Sequence, residues 1–183
     1  KLEGYDKQLD DLIVPTDSTY DHVPNNTGHG FARGVEAFAQ RRPSPEARLW
    51  GWASYSYGVT REASPDDPSH PRDFDQRHTL NLVSGLRLGG GWSLESRWGY
   101  GSGFPWTPVA VDERNAPRRD AQGQVVWGPT NSRRFRHYSR LDLRVAWDDG
   151  DAARDDGGVA LQLYFEAVNA LGRRNVYDDY WDD

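Results

Sequence analysis

Residues 138–147 read YSRLDLRVAW, residues 148–158 read DDGDAARDDGG, and residues 159–171 read VALQLYFEAVNAL. In the first arm Leu141, Leu143, Val145 and Trp147 share one parity, and Arg140, Asp142 and Arg144 share the other. In the second arm Val159, Leu161, Leu163, Phe165 and Ala167 alternate with Ala160, Gln162, Tyr164 and Glu166. A period of two sends alternate side chains to opposite faces of a sheet. Two such arms around a polar, glycine-containing turn predict an antiparallel hairpin. Each arm carries an apolar face and a polar one, so the fold depends on what each face meets: core, water or lipid.

The same alternation recurs on either side. Working backwards, residues 92–103 (WSLESRWGYGSG) set Trp92, Leu94, Trp98 and Tyr100 against Ser93, Glu95 and Arg97. Residues 78–88 (HTLNLVSGLRL) set Leu80, Leu82, Leu86 and Leu88 against Asn81 and Arg87. Residues 48–61 predict a third strand from the start of the chain, residues 31–40 a second with Glu36 on its polar side, and residues 2–14 a first. Seven long strands result, with no helical period between them. Their connections alternate in length: long at residues 15–30, short at RRPSPEA, long at residues 61–78, very short at LGGGW, longest at residues 104–136, then the hairpin turn. A meander with long loops at one end and short turns at the other is the pattern of a transmembrane β-barrel.

Tryptophan favours the membrane–water interface, and Trp50, Trp92 and Trp147 each adjoin a short turn, which predicts a girdle on that side. Tyr55, Tyr57, Tyr100, Phe104 and Trp106 lie towards the long-loop ends. From Trp92 to Tyr100 a tilted strand climbs on the order of 20 Å, close to the apolar band of such barrels. Trp50 and Tyr55 have opposite parity, so they share a face only if a bulge intervenes, and Gly51 is where one would fit.

Composition narrows the function classes. The 183 residues hold 36% apolar, 13% aromatic and 27% charged side chains, with eight Trp and nine Tyr, too aromatic for a disordered segment. The net charge of −6 argues against a nucleic-acid binder that relies on bulk positive charge. Without cysteine there is neither a disulfide framework nor thiolate chemistry. No HExxH pair supports a metal site, no cofactor motif is present, and no run approaches the roughly 20 apolar residues of a membrane helix. The chain opens on Lys1 and contains no Met, which reads as a piece of a longer protein.

Five segments, in order, resemble the C-terminal barrel portion of TonB-dependent outer-membrane receptors. They are GFARGVEAFAQRR (30–42), LWGWASYSYG (49–58) with FDQRHTLNLV (74–83), RWGYGSGFPWTP (97–108), YSRLDLRVAW (138–147) and FEAVNALGRRNV (165–176). The resemblance implies a barrel of about twenty-two strands, placed in the outer membrane of a Gram-negative-type cell. It implies import of a scarce ligand of siderophore, cobalamin or carbohydrate class, powered by a TonB-type energy-coupling protein acting through a plug domain. The chain departs from the pattern in lacking a plug, a TonB box and the final strand that ends in an aromatic residue.

On this reading the apolar faces meet outer-membrane lipid. The polar faces line the lumen through Glu36, Glu95, Arg97, Arg140, Asp142, Arg144 and Glu166, which could brace a plug. Tyr20, Arg72, Phe74, Trp106 and Trp127, in the long loops, are the candidates for first contact with a small-molecule ligand. Asp142 with Glu166 could suggest glycoside hydrolysis, but any charged sheet face supplies such carboxylate pairs by chance, and no enzyme is expected. His78, following Asp75, is expected to anchor a loop by a hydrogen bond. The competing architecture is a soluble or surface β-sandwich that binds carbohydrate through exposed Trp and Tyr. It accounts for the aromatics, but not for strands of twelve residues or more or for the loop asymmetry.

Overall fold

A computed structural model describes residues 1–14, 25–149 and 159–176. The strands are β1 (Leu2–Val14), β2 (Asn25–Arg41), β3 (Leu49–Ala63), β4 (His70–Pro71), β5 (His78–Gly89), β6 (Trp92–Gly101), β7 (Pro105–Trp106), β8 (Arg133–Arg134), β9 (Tyr138–Asp148) and β10 (Gln162–Ala167). The long strands pair antiparallel in the order β1-β2-β3-β5-β6-β9-β10, with β4 on the upper end of β3 and β7–β8 as a separate small ribbon. This is the expected seven-stranded meander, an all-β fragment of barrel wall.

Register fixes which residues share a face. One row runs Leu49, Leu86, Leu94, Val145, Phe165, and the next but one runs Ala39, Ala53, Leu82, Trp98, Leu141. Leu82, Leu86, Leu94, Val145 and Phe165 are all exposed, and among the described residues no apolar side chain larger than Ala47, Pro105 and Ala146 is buried. A sandwich would cover such rows with a second sheet about 10 Å away. No second sheet of that size exists among the described residues, and the two-stranded β7–β8 ribbon cannot supply one. Among the described residues the sheet is a single layer whose apolar side is uncovered. Polar groups on that side pair with one another: the Ser84 and Ser96 hydroxyls lie 2.8 Å apart, and the Trp98 indole N–H donates to Ser139 Oγ at 3.0 Å.

The ends of the wall follow from local chemistry. Gly89, Gly90 and Gly91 all take positive φ (94°, 59° and 82°), which lets β5 turn into β6 through two residues. Strand β2 begins at Asn25, six residues before the expected start, because the ladder to β1 continues past Gly30 through two register shifts, at Leu9/Leu12 and Leu12/Val14. The first long loop is correspondingly shorter than residues 15–30. Strand β10 is shorter than the expected 159–171 at both ends. Before it, the Leu161 N–H is taken by the Asp149 carboxylate. After it, Asn169 turns left-handed (φ 54°) and donates its N–H to Asp142. The DDGDAARDDGG turn lies largely outside the described residues.

One expectation fails. The β3 ladder to β5 runs unbroken through Gly51 and that to β2 reaches Gly51 without a shift, so there is no bulge and Trp50 keeps its parity. It lies opposite Gly85, in the row of Glu95, and thus on the other face from Trp92 and Trp147. Its indole covers the position a Cβ on Gly85 would occupy. Trp92 and Trp147 are direct cross-strand partners on the apolar face, and the Trp147 indole N–H donates to the Gly90 carbonyl at 3.1 Å. Of the three tryptophans expected together at this end, Trp92 and Trp147 share a face and Trp50 does not.

Candidate functional site

Two surfaces carry polar chemistry: the face opposite the apolar rows, and the loops at the long-connection end. On the polar face, Glu95, Arg144 and Glu166 are successive cross-strand partners on β6, β9 and β10, alternating in sign. Opposite charges placed directly across a ladder attract, whereas like charges there repel. Arg97 faces Asp142, which also binds Arg140 on its own strand at 2.8 Å. The Arg144 guanidinium lies over the Tyr164 ring, 4.3 Å from its centroid. Glu36 sits apart on β2, beside Ser56 and Glu3. The register therefore puts all seven expected polar-face residues on one face and gathers six of them on β6, β9 and β10. Sequence reading missed that Phe38, Trp50 and Trp52 also lie on this face, with Phe38 and Trp52 ring centroids 6.2 Å apart. Parity counted from Ala53 was the available signal.

The loops are organised by Asp75. Its carboxylate, 2% exposed as a residue, accepts from the Thr60 N–H at 2.7 Å, from Arg77 Nε at 3.3 Å and from Arg134. Arg134 also donates to the carbonyls of Asp75 and of Gly103 (3.1 Å). One buried carboxylate thus ties the top of β3, the β3–β5 loop and the β6–β9 loop together. Charge-assisted bonds of this kind are roughly twice as strong as neutral ones. Gln76 adds a bond to the Ser102 carbonyl, and Ser102 exchanges backbone and side-chain bonds with His78. The His78 ring itself meets the Tyr55 hydroxyl at 2.8 Å, so it anchors to a strand residue and not, through its side chain, to a loop.

The longest loop contains an eight-residue repeat: PVAVDERN (108–115), APRRDAQG (116–123) and QVVWGPTN (124–131). The eighth position is left-handed each time, at Asn115 (φ 62°), Gly123 (φ 83°) and Asn131 (φ 53°). Asn and Gly tolerate that conformation best. At the fifth position Asp112 accepts the N–H groups of Arg114 and Ala116, and Asp120 those of Gln122 and Gln124, all at 2.8–2.9 Å. The third positions bond in a ring: Ala110 N–H to Val126, Val126 N–H to Arg118, Arg118 N–H to Ala110. The three segments therefore bridge one another and close as a knob. This signal was present in the sequence and was missed.

The loop residues expected to touch a ligand fall into different settings. Arg72 is committed to Glu62 at 2.8 Å and lies over Phe74, which is itself exposed. Trp106 stacks on Phe135 with ring centroids 5.6 Å apart. Trp127, in the third repeat, is 61% exposed. Tyr20 lies outside the described residues.

Known proteins were compared with this arrangement. No curated protein and no solved structure matches the chain. One family model does, described as TonB dependent receptor-like, beta-barrel, and it covers residues 1–170. That span takes in β1 through β10, including the polar-face charges, Asp75 and the whole knob. It is an outer-membrane family of receptors and transporters, not of enzymes. The chain belongs to the TonB-dependent receptor β-barrel family.

Proposed function

We propose that this chain is the lipid-facing wall and part of the ligand-capturing mouth of a receptor that imports a scarce ligand with TonB-derived energy. One observation carries the reading: a single-layer sheet with an apolar face, an oppositely directed charged face, and its two longest connections, residues 64–77 and 102–137, at one end. The apolar face suits the membrane interior, bracketed below by Trp92 and Trp147 and above by Tyr55, Tyr57 and Tyr100, which the register puts on that same face. The opposite face would line the lumen. There Glu95, Arg144, Glu166, Arg97, Asp142, Arg140 and Glu36 offer alternating charge to a plug domain of the same receptor. The long-connection end would face outside, and its loops would meet a ligand of siderophore, cobalamin or carbohydrate class.

Among the described residues the outer edges of β1 and β10 pair with no strand, which supports further strands on both sides, since exposed edges invite pairing. Seven strands are also fewer than the smallest bacterial barrels use. The test is fractionation and uptake with the intact receptor. Its recovery in outer membranes, with ligand accumulation that stops when the proton-motive force or the TonB-type protein is removed, is the expected result. Recovery in the soluble fraction without detergent, or accumulation indifferent to both, refutes the reading.

A further inference from the structure

The third turn of the knob breaks the pattern of the other two, and the break builds a cleft. At its fifth position Gly128 replaces the aspartate, because a Cβ there would press on Pro108, with the carbonyl oxygen 3.0 Å away. Having no carboxylate of its own, this turn borrows acceptors from the β3–β5 loop. Thr130 Oγ1 donates to Asp67 at 2.8 Å, and Asn131 Nδ2 donates to Asp73 at 2.7 Å and to the Pro71 carbonyl at 2.8 Å. Asn131 is 5% exposed, so the joint is buried. Between the two loops lies a cleft of about 1120 Å³. Ligand clefts commonly measure about 300–1,000 Å³ and combine apolar walls with a few convergent polar groups.

We propose that this cleft is a saccharide-binding site, an inference that rests on the receptor reading above and narrows its ligand class. Trp127 lines the cleft with its indole largely exposed, whereas Trp106 is occupied by Phe135. A flat, amphipathic ring of this kind suits the C–H face of a sugar. Asp66, Asp67, Asp73 and Ser132 line the same cleft. Asp67 and Asp73 are each held by one oxygen, through Thr130 and Asn131, which leaves the second oxygen of each to accept from ligand hydroxyls. The same bonds fix these carboxylates before any ligand arrives, which lowers the ordering cost of binding. An anionic chelate is disfavoured, because Asp66, Asp67 and Asp73 outnumber Arg61 along the cleft, Glu62 being paired with Arg72.

The test uses the intact receptor in detergent, titrated by calorimetry. The probes are malto-, cello-, xylo- and chito-oligosaccharides, with ferric citrate, a ferric catecholate and cyanocobalamin for comparison. Binding by at least one oligosaccharide series is expected, weakened tenfold or more in W127A and in D73A, retained within about tenfold in W127F, and unchanged in E113A, an exposed knob residue that does not line the cleft. The proposal is overturned if no oligosaccharide binds in a Trp127-dependent way, or if W127A weakens a chelate or cobalamin instead. Trp127-dependent saccharide binding without energised uptake would sink the transport reading and leave the cleft standing. Energised uptake of a chelate indifferent to W127A would do the reverse.

Discussion

Replacing Asp75 with alanine removes the group that joins three parts of the outer surface. The substitution leaves the Thr60 N–H, Arg77 and Arg134 without their shared acceptor. Breaking a fully buried ion pair from one side costs about 3–5 kcal/mol. Here the carboxylate side chain is 0% exposed, but Arg134 and Arg77 are 30% and 36% exposed and can recover water. The cost is then about 2–3 kcal/mol, which corresponds to roughly a 30- to 150-fold rise in the open population of the loop. The loss is local, because the β3, β5, β6 and β9 ladders do not pass through Asp75. Hydrogen exchange on the intact receptor in detergent measures it. Amides of residues 104–136 should exchange faster by about that factor in D75A, by less in D75N, and the strand amides should not change. Unchanged loop exchange, or acceleration of strands and loop together, would refute the role assigned to Asp75.

Three further outcomes follow from the geometry. Gly85→Val drives side-chain atoms into the Trp50 indole and should cost about 1–3 kcal/mol of stability by overpacking. Combining it with W50A should recover most of that loss in a denaturant titration, whereas additive losses would contradict the contact. Asn131→Ala loses the bonds to Asp73 and Pro71 and strains a φ of 53°, while Asn131→Gly loses only the bonds. Protease cleavage between residues 108 and 131 should rank N131A above N131G above the native receptor, and equal rates for the two variants would remove backbone strain from the account. Arg144→Glu places like charges beside Glu95 and Glu166 and should lower the melting temperature, with partial recovery in the E95R/R144E exchange. Absence of recovery would show that the row is not electrostatically coupled.

The strands and their faces were legible because alternation is set by the pleat alone, and Leu82, Glu95, Arg144 and Phe165 lie where parity puts them. Trp50 was misplaced by letting a preference for the interface override parity, although nothing in the ladder at Gly51 supplies the required bulge. The end of β10 depends on tertiary bonds from Asp149 and Asp142, which no local pattern reveals. Asp75 stood out only as part of a motif; its burial depends on Arg134, 59 residues away. The knob was written in the spacing of Asn115, Gly123 and Asn131 and of Asp112 and Asp120. It is hard to see because its segments meet through isolated bridges and carry no hydrophobic period.

The central claim is that one face of this sheet meets lipid and the other does not, and adjacent residues on β5 test it. Leu82 lies on the apolar face between Ala53 and Trp98, and Val83 lies on the polar face between Trp52 and Arg97. Arginine on the lipid face near the middle of a barrel costs about 2–4 kcal/mol, and lumen positions tolerate it far better. Folding of the intact receptor into phosphatidylcholine vesicles, measured at equilibrium in denaturant, should show L82R destabilised by about 2–4 kcal/mol and V83R by less than about 1 kcal/mol. Equal costs, or the larger cost at Val83, would contradict the account.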